Sequence, residues 1–324
     1  MQAYVIHQPG GVEALQLQEM PIPAVKPGWV LIRIKAFGLN RAEVMTRQGH
    51  SGDAVPWPRI IGIECVGEVA DASDSDLSVG RTVATAMGGL SRSHDGSYAE
   101  YTLVPRSQVM PLQTSLSWAE MAALPESYLT AWGVVIEAMA VQPEQTVIVR
   151  AGTSSVGRAA IDILKDMDCT VIATTRSAAK RPVLRAAGAD HVLVTTAETK
   201  AAVRQLAPEG VHGVVELVGT RETIMDSLHA CRPRGIVGLV GFLGYKWAYN
   251  WFPWMPSTVR LTLYSSETLT GSEGTPVLQE IVRRVEQGRY QPNIFQVFDF
   301  ADLPAAHRLM ESNQARGKLV VMLP

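Results

Sequence analysis

A glycine-containing segment near the middle of the chain carries the residues best suited to bind a charged ligand. Residues 152–158 read Gly-Thr-Ser-Ser-Val-Gly-Arg, after the apolar run 146–149 and before an Ala- and Ile-rich stretch. A strand, a tight turn and a helix in this order present backbone N–H groups and the positive end of the helix dipole to a phosphate. The candidate phosphate contacts are Gly152, Thr153, Ser154, Ser155, Val156 and Gly157.

The spacing of the glycines narrows what this turn could bind. In the dinucleotide fingerprint G-x-G-x-x-G the middle glycine lets the backbone approach the pyrophosphate, and here Ser154 stands at that position. A glycine turn that binds no ligand is therefore the alternative. The segment does not fit a P-loop, because Arg158 and Ala159 follow the last glycine, and Val156 breaks the pattern of a nucleophile elbow.

The residues that follow the second strand of this region favour one coenzyme. A carboxylate roughly 20 residues beyond the glycine turn would bind the ribose 2′-OH and favour NAD. This chain instead has Thr175, Arg176, Ser177 and Lys180 there, and no carboxylate. Because arginine and lysine pair with phosphate and serine donates a hydrogen bond, the pattern predicts NADP(H). The alternative is a solvated, basic start of a helix.

Alternating strands and helices surround the glycine turn and must position it. The hydrophobic pattern predicts strands at 146–150, 170–175, 191–195, 213–217 and 235–240, with helices between them such as 179–187 and 221–231. Repeated units of this kind imply an α/β fold with a doubly wound parallel sheet and helices on both of its faces.

The two ends of the chain have a different pattern. The first hundred residues are mostly short strands separated by Pro and Gly, which predicts a β-barrel-type domain. After about Thr258 we predict a strand at 260–265, a helix at 276–288 and late strands at 296–298 and 318–322. We expect this tail to return to the first domain.

Length, charge and cysteine content exclude several classes of protein. A chain of 324 residues is long enough for two domains. Its net charge of −2 favours neither nucleic acid nor an anionic membrane as a partner, and no apolar run reaches the roughly 20 residues of a membrane helix. Three distant cysteines argue against disulfides, and with no signal peptide evident we expect a reducing, cytoplasmic location.

A series of short motifs occurs in a fixed order along nearly the whole chain. They are residues 38–43, 61–67, 96–101, 122–125, 129–132, 151–157, 187–190 and 317–321. With these motifs the chain resembles the medium-chain dehydrogenase/reductase superfamily, in its zinc-free NADPH:quinone oxidoreductase-like branch.

The resemblance implies two domains and an assembly. A GroES-like catalytic domain would consist of residues 1–121 and 261–324, and a Rossmann NADP(H)-binding domain of residues 122–260. The strand at 260–265 often pairs across a two-fold axis in this family, so the chain is expected to form a homodimer.

The chain departs from the zinc-using members of this superfamily at their metal ligands. By resemblance, those relatives have a cysteine where Asn40 stands here and a histidine where Ile63 stands. The four closely spaced cysteines of their structural zinc lobe, around positions 85–110, are also missing. Because zinc needs at least three good ligands, we predict that the protein binds no metal.

The resemblance also assigns candidate catalytic residues. Asn40 would lie beside the nicotinamide and donate its amide to a substrate oxygen, the alternative being an asparagine that stabilises a turn. Relatives often have a tyrosine in the loop where His50 and Ser51 stand, and one of these two would replace it as the donor unless the loop is merely exposed. Met45 and Ser51 would line the substrate.

Further cofactor contacts follow from the same resemblance. Thr130 would face the nicotinamide ribose or carboxamide. Val240, Gly241 and Phe242 would run along the nicotinamide through their backbone groups. Lys318 would either reach a cofactor phosphate or form an ion pair on the surface.

An aromatic segment at 245–256 has two interpretations. It contains Trp247 and Trp251, which would line the substrate if the segment roofs the substrate cleft. The alternative is that the segment forms a dimer contact, and both roles are compatible.

Hydride transfer without a metal must rely on hydrogen bonds to the acceptor, which suits an acceptor that is already electron-poor. A quinone or an α,β-unsaturated carbonyl spreads the negative charge that hydride addition creates, so a modest hydrogen-bond donor suffices. The leading interpretation is an NADPH-dependent reductase of such small molecules. A trans-enoyl thioester reductase and a non-catalytic NADPH-binding sensor or structural protein are the alternatives.

Overall fold

The chain termini and the glycine turn belong to different units of the computed structural model, which describes residues 1–72, 75–195, 199–243 and 255–324. The first unit consists of Met1–Leu129, Ser266–Gly288 and Pro292–Pro324, and the second of Thr130–Ser265 and Arg289–Gln291. The divisions predicted from the sequence lie at 121/122 and 260/261, several residues before the ends of the segments Met1–Leu129 and Thr130–Ser265. The structural division between residues 129 and 130 lies inside the helix 125–132.

The strands, in chain order, are β1 (Gln2–Ile6), β2 (Gln16–Glu19), β3 (Trp29–Gly38), β4 (Arg59–Ile60), β5 (Glu64–Asp71), β6 (Thr82–Ala86), β7 (Tyr101–Pro105), β8 (Met110–Pro111), β9 (Thr146–Val149), β10 (Thr170–Thr175), β11 (His191–Val194), β12 (Val211–Glu216), β13 (Cys231–Leu239), β14 (Arg260–Leu263), β15 (Ile294–Asp299) and β16 (Lys318–Met322). The α-helices are α1 (Arg41–Arg47), α2 (Trp118–Ala122), α3 (Pro125–Trp132), α4 (Ser155–Asp166), α5 (Arg181–Ala186), α6 (Thr199–Leu206), α7 (Arg221–Ala230), α8 (Gly271–Glu286) and α9 (Leu303–Glu311). Within the described ranges, none of these helices has both the length and the apolar character needed to cross a membrane.

Two sheets form the first unit. Among the residues that the structure describes, the larger has seven strands, in the order β15-β16-β3-β5-β6-β8 with β7 paired to β3, and the smaller has the order β2-β1-β4. Ile34, Phe37 and Tyr98 are buried in the core that the strands share with α9. Gly67 in β5 lets β3 approach closely, because a Cβ there would lie 2.1 Å from the Arg33 carbonyl oxygen.

Within the described ranges, a parallel sheet of six strands, in the order β11-β10-β9-β12-β13-β14, forms the second unit. Helices α4, α5, α6 and α7 lie in the successive crossovers from β9 to β13. The central strand β9 buries Val147, Ile148 and Val149 completely, which explains its continuous apolar run. In this strand order the carboxyl ends of β9, β10 and β12 share one edge of the sheet, where doubly wound folds bind their ligands.

These two architectures confirm the α/β fold, with a parallel-sheet Rossmann domain and a β-rich domain that contains both ends of the chain. The start of one helix was wrong: α8 begins at Gly271, not at Pro276, and contains the proline. Gly271 has φ +51 and a Cβ there would overlap the Ser107 carbonyl oxygen, so this turn depends on a distant backbone contact that periodicity does not reveal. Helices α1 and α9 were not anticipated.

Candidate active site

The glycine turn joins β9 to α4 at the carboxyl edge of the second unit's sheet. The Gly152 N–H donates to the Thr174 carbonyl oxygen at 3.0 Å, which ties the turn to the end of β10. A Cβ on Gly157 would lie 2.6 Å from the Ala151 carbonyl oxygen and 2.9 Å from the Gly152 Cα, so α4 packs directly on the turn. Glycine at 157 therefore has the close helix–strand packing role of the last glycine in the dinucleotide fingerprint.

Ser154, which replaces the middle glycine, is the N-cap of α4. Its Oγ accepts a hydrogen bond from the Gly157 N–H at 3.1 Å and donates one to the Ala151 carbonyl oxygen at 2.9 Å. The side chain is thus used within the turn, and the N–H groups of Ser155 and Val156 head the helix. The position of a serine three residues before Gly157 is the sequence signal for this cap.

The end of β10 brings basic and hydroxyl groups to the same edge. Thr175 is buried, and its Oγ1 accepts a hydrogen bond from the Ser177 N–H at 3.3 Å. Arg176 is exposed, while Ser177 and Lys180 are half-buried. Because Ala173 pairs with Val149 of β9, these residues lie beside the glycine turn, as the sequence predicted.

Residues 240–242 form a second loop at this edge, against the loop that follows β12. The N–H groups of Val240 and Gly241 both donate to the Glu216 carbonyl oxygen at 3.0 Å. A Cβ on Gly219, which has φ +73, would meet the Gly241 carbonyl oxygen at 1.8 Å. The two loops therefore lie backbone to backbone, and Phe242 beyond them is 39% exposed.

A buried ion pair that sequence analysis missed holds the loop after β12. Glu216 Oε1 accepts hydrogen bonds from the N–H groups of Val218 at 2.9 Å and Gly219 at 3.0 Å. Its Oε2 accepts from Ser227 Oγ at 2.6 Å and lies 3.8 Å from Arg150 Nε. Thr130, another predicted contact of this unit, is buried in α3.

The predicted residues Asn40 and Lys318 belong to the first unit, where they meet in a group of buried side chains that we call the polar cluster. Its members are Asn40, Glu43, Glu64, Tyr98, His307 and Lys318. The cluster joins the start of α1 to β5, α9 and the last strand of the chain. Only the first and last of these residues were singled out from the sequence.

Asn40 is the N-cap of α1, and its amide is used within the polar cluster. Its backbone N–H donates to Glu43 Oε2 at 2.7 Å. Its Nδ2 donates to Glu64 Oε1 at 2.8 Å and to Glu43 Oε1 at 3.3 Å, while Oδ1 accepts from Lys318 Nζ at 2.7 Å. This geometry favours the turn-stabilising alternative for Asn40, and its role as a donor to substrate stays a prediction.

Lys318 is only 1% exposed and its ammonium lies 2.5 Å from Glu64 Oε1. The alternative that Lys318 forms a pair on the surface is therefore wrong, because the side chain is buried along its whole length. Gly38 provides the space, since a Cβ there would lie 2.2 Å from Lys318 Cε. Contact with a cofactor phosphate stays a prediction.

Three hydrogen-bonded side chains, those of Glu43, Tyr98 and His307, continue the polar cluster from Asn40. Tyr98 donates its hydroxyl to Glu43 Oε2 at 2.8 Å and lies 2.9 Å from His307 Nε2. Burial lowers the pKa of His307 to about 3, and the Arg47 charge adds to the effect. Burial raises the pKa of Glu43, although hydrogen bonds from the N–H groups of Ile63 and Asn40 oppose the rise. The imidazole is thus neutral, and its Nε2–H donates to the tyrosine oxygen.

The loop after α1 contains the predicted substrate-side residues. His50 is exposed, and its N–H donates to the Met45 carbonyl oxygen at 2.9 Å. Ser51 Oγ lies 2.9 Å from Thr46 Oγ1, within hydrogen-bond distance, and Met45 is half-buried. The loop follows directly from the helix that Asn40 caps.

Two further predicted residues, Trp247 and Trp251, lie outside the described residues. The same is true of the aromatic segment up to residue 254. Their predicted role as a substrate roof or dimer contact stays a prediction.

The residues at the positions of the zinc ligands do not suit a metal. Ile63 offers only hydrocarbon, and Asn40 Oδ1 already accepts a hydrogen bond from an ammonium group. Across the described ranges, no group of three or more His, Cys, Asp or Glu residues could hold a metal ion.

Comparison with known proteins identifies the family. Residues 26–114 match the family described as alcohol dehydrogenase GroES-like domain, and residues 187–321 match the family described as zinc-binding dehydrogenase. The synaptic vesicle membrane protein VAT-1 homolog of Rattus norvegicus is 28% identical, covering 97% of this chain and 82% of that protein. A probable quinone oxidoreductase of Schizosaccharomyces pombe is 28% identical, covering 98% and 95%.

One solved structure adds a bound coenzyme to this comparison. A mycobacterial protein complexed with NADPH shares the fold with a TM-score of 0.89, at 26% identity over 99% of this chain and 100% of that chain. The chain belongs to the medium-chain dehydrogenase/reductase superfamily of oxidoreductases, in its quinone oxidoreductase-like branch. The family predicted from the motifs is therefore confirmed.

Proposed function

We propose that the protein is an NADPH-dependent oxidoreductase that reduces quinones or α,β-unsaturated carbonyls by hydride transfer without a metal. One observation carries the proposal: the start of α4 and the basic end of β10 lie side by side at the carboxyl edge of the parallel sheet. The relative named as a probable quinone oxidoreductase and the related structure complexed with NADPH support it.

The residues at this edge fit a phosphorylated dinucleotide. The N–H groups that head α4 would bind the pyrophosphate, as helix N-termini do. Arg176, Ser177 and Lys180 would hold a 2′-phosphate, since no carboxylate stands there to repel it. The loop containing Val240 and Gly241 would position the nicotinamide through its backbone. Bound NADPH would supply the hydride.

The hydrogen-bond donors of the first unit indicate which class of molecule accepts the hydride. Asn40 gives its amide hydrogens to two carboxylates, which leaves the loop after α1 to polarise a substrate oxygen. His50 and Ser51 are the donors there, and Met45 would contact the substrate. Donors of this strength suit a conjugated acceptor, which already delocalises the developing charge.

Coenzyme oxidation tests the proposal directly. The absorbance of NADPH is followed with a panel of quinones, a conjugated enone and a trans-enoyl thioester, with NADH in parallel. We expect turnover with quinones or enones and a preference for NADPH. Turnover of the thioester alone would favour a thioester reductase, and tight NADPH binding without any turnover would favour a sensor. If calorimetry showed that neither coenzyme binds, the proposal would be wrong.

The metal-free part of the proposal has its own test. Elemental analysis of the purified protein is expected to find no stoichiometric zinc, and prolonged treatment with a chelator is expected to leave turnover unchanged. Stoichiometric zinc, or activity that a chelator abolishes and zinc restores, would overturn this part while leaving hydride transfer in place.

Assembly and location complete the proposal. Strand β14 lies at the edge of the parallel sheet and Leu263 on it is 59% exposed, which supports a homodimer formed by strand pairing. Cys65, Cys169 and Cys231 are free and buried, as suits a reducing compartment such as the cytoplasm.

A further inference from the structure

The buried ammonium of Lys318 connects parts of the chain that are far apart in sequence. Its Nζ donates to Glu64 Oε1 at 2.5 Å and to Asn40 Oδ1 at 2.7 Å. Lys318 starts β16, Glu64 starts β5 and Asn40 caps α1. Because a buried charge is costly unless it is paired and hydrogen-bonded, the position of this ammonium is well determined.

The charges around Asn40 decide which way its amide points. An ammonium only donates hydrogen bonds and a carboxylate only accepts them. Oδ1 therefore faces Lys318, and Nδ2 faces Glu64 and Glu43. The reversed amide would direct N–H groups at the ammonium and its oxygen at two carboxylates, so Lys318 and Glu64 together exclude it.

Glu64 extends this arrangement to a second helix. Its other oxygen, Oε2, accepts a hydrogen bond from the Glu126 N–H at 2.8 Å, in the first turn of α3. One carboxylate thus holds the Lys318 ammonium, the cap of α1 and the start of α3. Helix α1 leads into the loop of His50 and Ser51, and α3 also contains Thr130, so both helices carry predicted site residues.

We propose that Lys318 is a positioning residue whose ammonium, through Glu64 and Asn40, fixes the start of α1 and the loop that polarises the substrate. The role does not require Lys318 to contact the coenzyme, in contrast to the phosphate contact that was one of the two alternatives from the sequence. The inference rests on the proposed function, because turnover is its main readout.

Lys318→Met tests the role of the charge, since it keeps most of the side-chain length. We expect kcat with a quinone to fall about tenfold or more, because small displacements of a substrate-side group are costly, while the Kd of NADPH changes little. Lys35→Met is the matched control: Lys35 pairs with Glu68 at 3.2 Å on the neighbouring strands β3 and β5, outside the polar cluster, and its loss is expected to leave kcat unchanged. A raised Kd of NADPH with unchanged kcat would indicate that Lys318 contacts the cofactor phosphate, and it would overturn the inference.

Lys318→Met leaves Glu64 buried without its partner, so the single variant could lose its fold. The double variant Glu64→Gln/Lys318→Met removes both charges, and such neutral replacements of buried pairs are often tolerated. We expect the thermal stability of the double variant to recover while kcat stays about tenfold low. Recovery of kcat together with stability would show that charge balance alone matters and would overturn the positioning role.

A measurement without substrate separates this inference from the proposed function. Hydrogen–deuterium exchange of the segments 40–47 and 125–132 is expected to be faster in the double variant than in the wild type, because the substituted glutamine has one acceptor oxygen where the Glu64 carboxylate uses two, one for each helix start. Unchanged exchange in both segments would contradict the inference. Absence of turnover in the wild type would contradict the proposed function alone, since the exchange result does not depend on it.

Discussion

The exposed guanidinium of Arg176 lies at the end of β10, beside the glycine turn, where it would meet a 2′-phosphate. We expect Arg176→Ala to raise the Kd of NADPH about tenfold and to leave that of NADH nearly unchanged, since a charge-assisted hydrogen bond contributes about 1.5–3 kcal/mol. Fluorescence titration with both coenzymes measures this. Arg185→Ala removes the same charge from an exposed site on α5 and serves as control. Equal losses in the two variants would indicate a general effect of charge instead.

The neutral, buried imidazole of His307 makes stability depend on pH. Its pKa falls from 6.5 to about 3 on folding, so below pH 6.5 the unfolded chain binds more protons than the folded one. The contribution of His307 is therefore complete above about pH 6.5 and is lost as the pH falls toward 3.

We expect the wild type to lose about 2 kcal/mol more of its free energy of unfolding between pH 7 and pH 5 than His307→Gln does. Glutamine keeps a donor for Tyr98 without titrating. Urea denaturation at the two pH values provides the measurement. His7→Gln, at an exposed site, is the control and should behave as the wild type does. If His307→Gln lost as much free energy of unfolding between the two pH values as the wild type, groups other than His307 would be responsible.

For individual residues, the sequence predicted contacts between neighbours in the chain far better than contacts between distant positions. The glycine turn and the basic end of β10 were predictable because each depends on neighbours in sequence and on strand order. The polar cluster was not, because Lys318 lies 278 positions from Asn40 and 254 from Glu64. A surface pair, one of the two alternatives for Lys318, was wrong for this reason: burial is a property of the folded neighbourhood, and a lone lysine gives no sign of it.

At the scale of elements, the two glycines of the turn differ in what surrounds them. A Cβ on Gly157 would meet the backbone of Ala151 at 2.6 Å, whereas one on Gly152 would meet the side chains of Leu184 and Ala173 at 3.0 and 3.1 Å. Side chains can shift by a few tenths of an ångström, but the backbone of a turn packed under a helix cannot do so cheaply.

We therefore expect Gly157→Ala to destabilise the second unit by about 1–3 kcal/mol and to weaken NADPH binding by displacing the start of α4. Gly152→Ala is the matched comparison and should cost less stability, because its nearest contacts are longer, at 3.0 and 3.1 Å, and the nearer one is the flexible end of Leu184. Thermal and urea denaturation give the order of stabilities, and calorimetry gives NADPH affinity. The reverse order would contradict this account of the packing.

The central strands of the parallel sheet were predicted well, whereas the start of α8 and the helices α1 and α9 were not. Strands β9, β10 and β12 follow from their buried apolar runs, and β10 has the predicted bounds 170–175. The start of α8 depends on the approach of Gly271 to Ser107, which lies in another part of the first unit. Ser154 departs from the glycine fingerprint, but α4 still begins regularly because the Ser154 side chain caps it.

For the whole molecule, the order of motifs carried more information than any one of them. A glycine turn with a serine in the middle position is weak evidence by itself, and the strand-rich ends of the chain are compatible with several folds. Together they predicted a Rossmann unit and a GroES-like unit, which the family matches and the parallel sheet confirm. The substrate was not predictable, because fold does not determine which acceptor is reduced.

Assembly is the remaining property at this scale, and strand β14 provides its test. An exposed edge strand with an apolar side chain invites pairing with another chain, and Leu263 on β14 is 59% exposed. We expect the wild type to be a dimer by light scattering after size-exclusion chromatography, and Leu263→Glu to shift it toward monomer, because two buried carboxylates would face each other across the two-fold axis. Val79→Glu, at a side chain 71% exposed in the first unit, is the control and should remain dimeric. A wild-type monomer would refute the homodimer, and a dimer that Leu263→Glu leaves intact would place the interface on another surface.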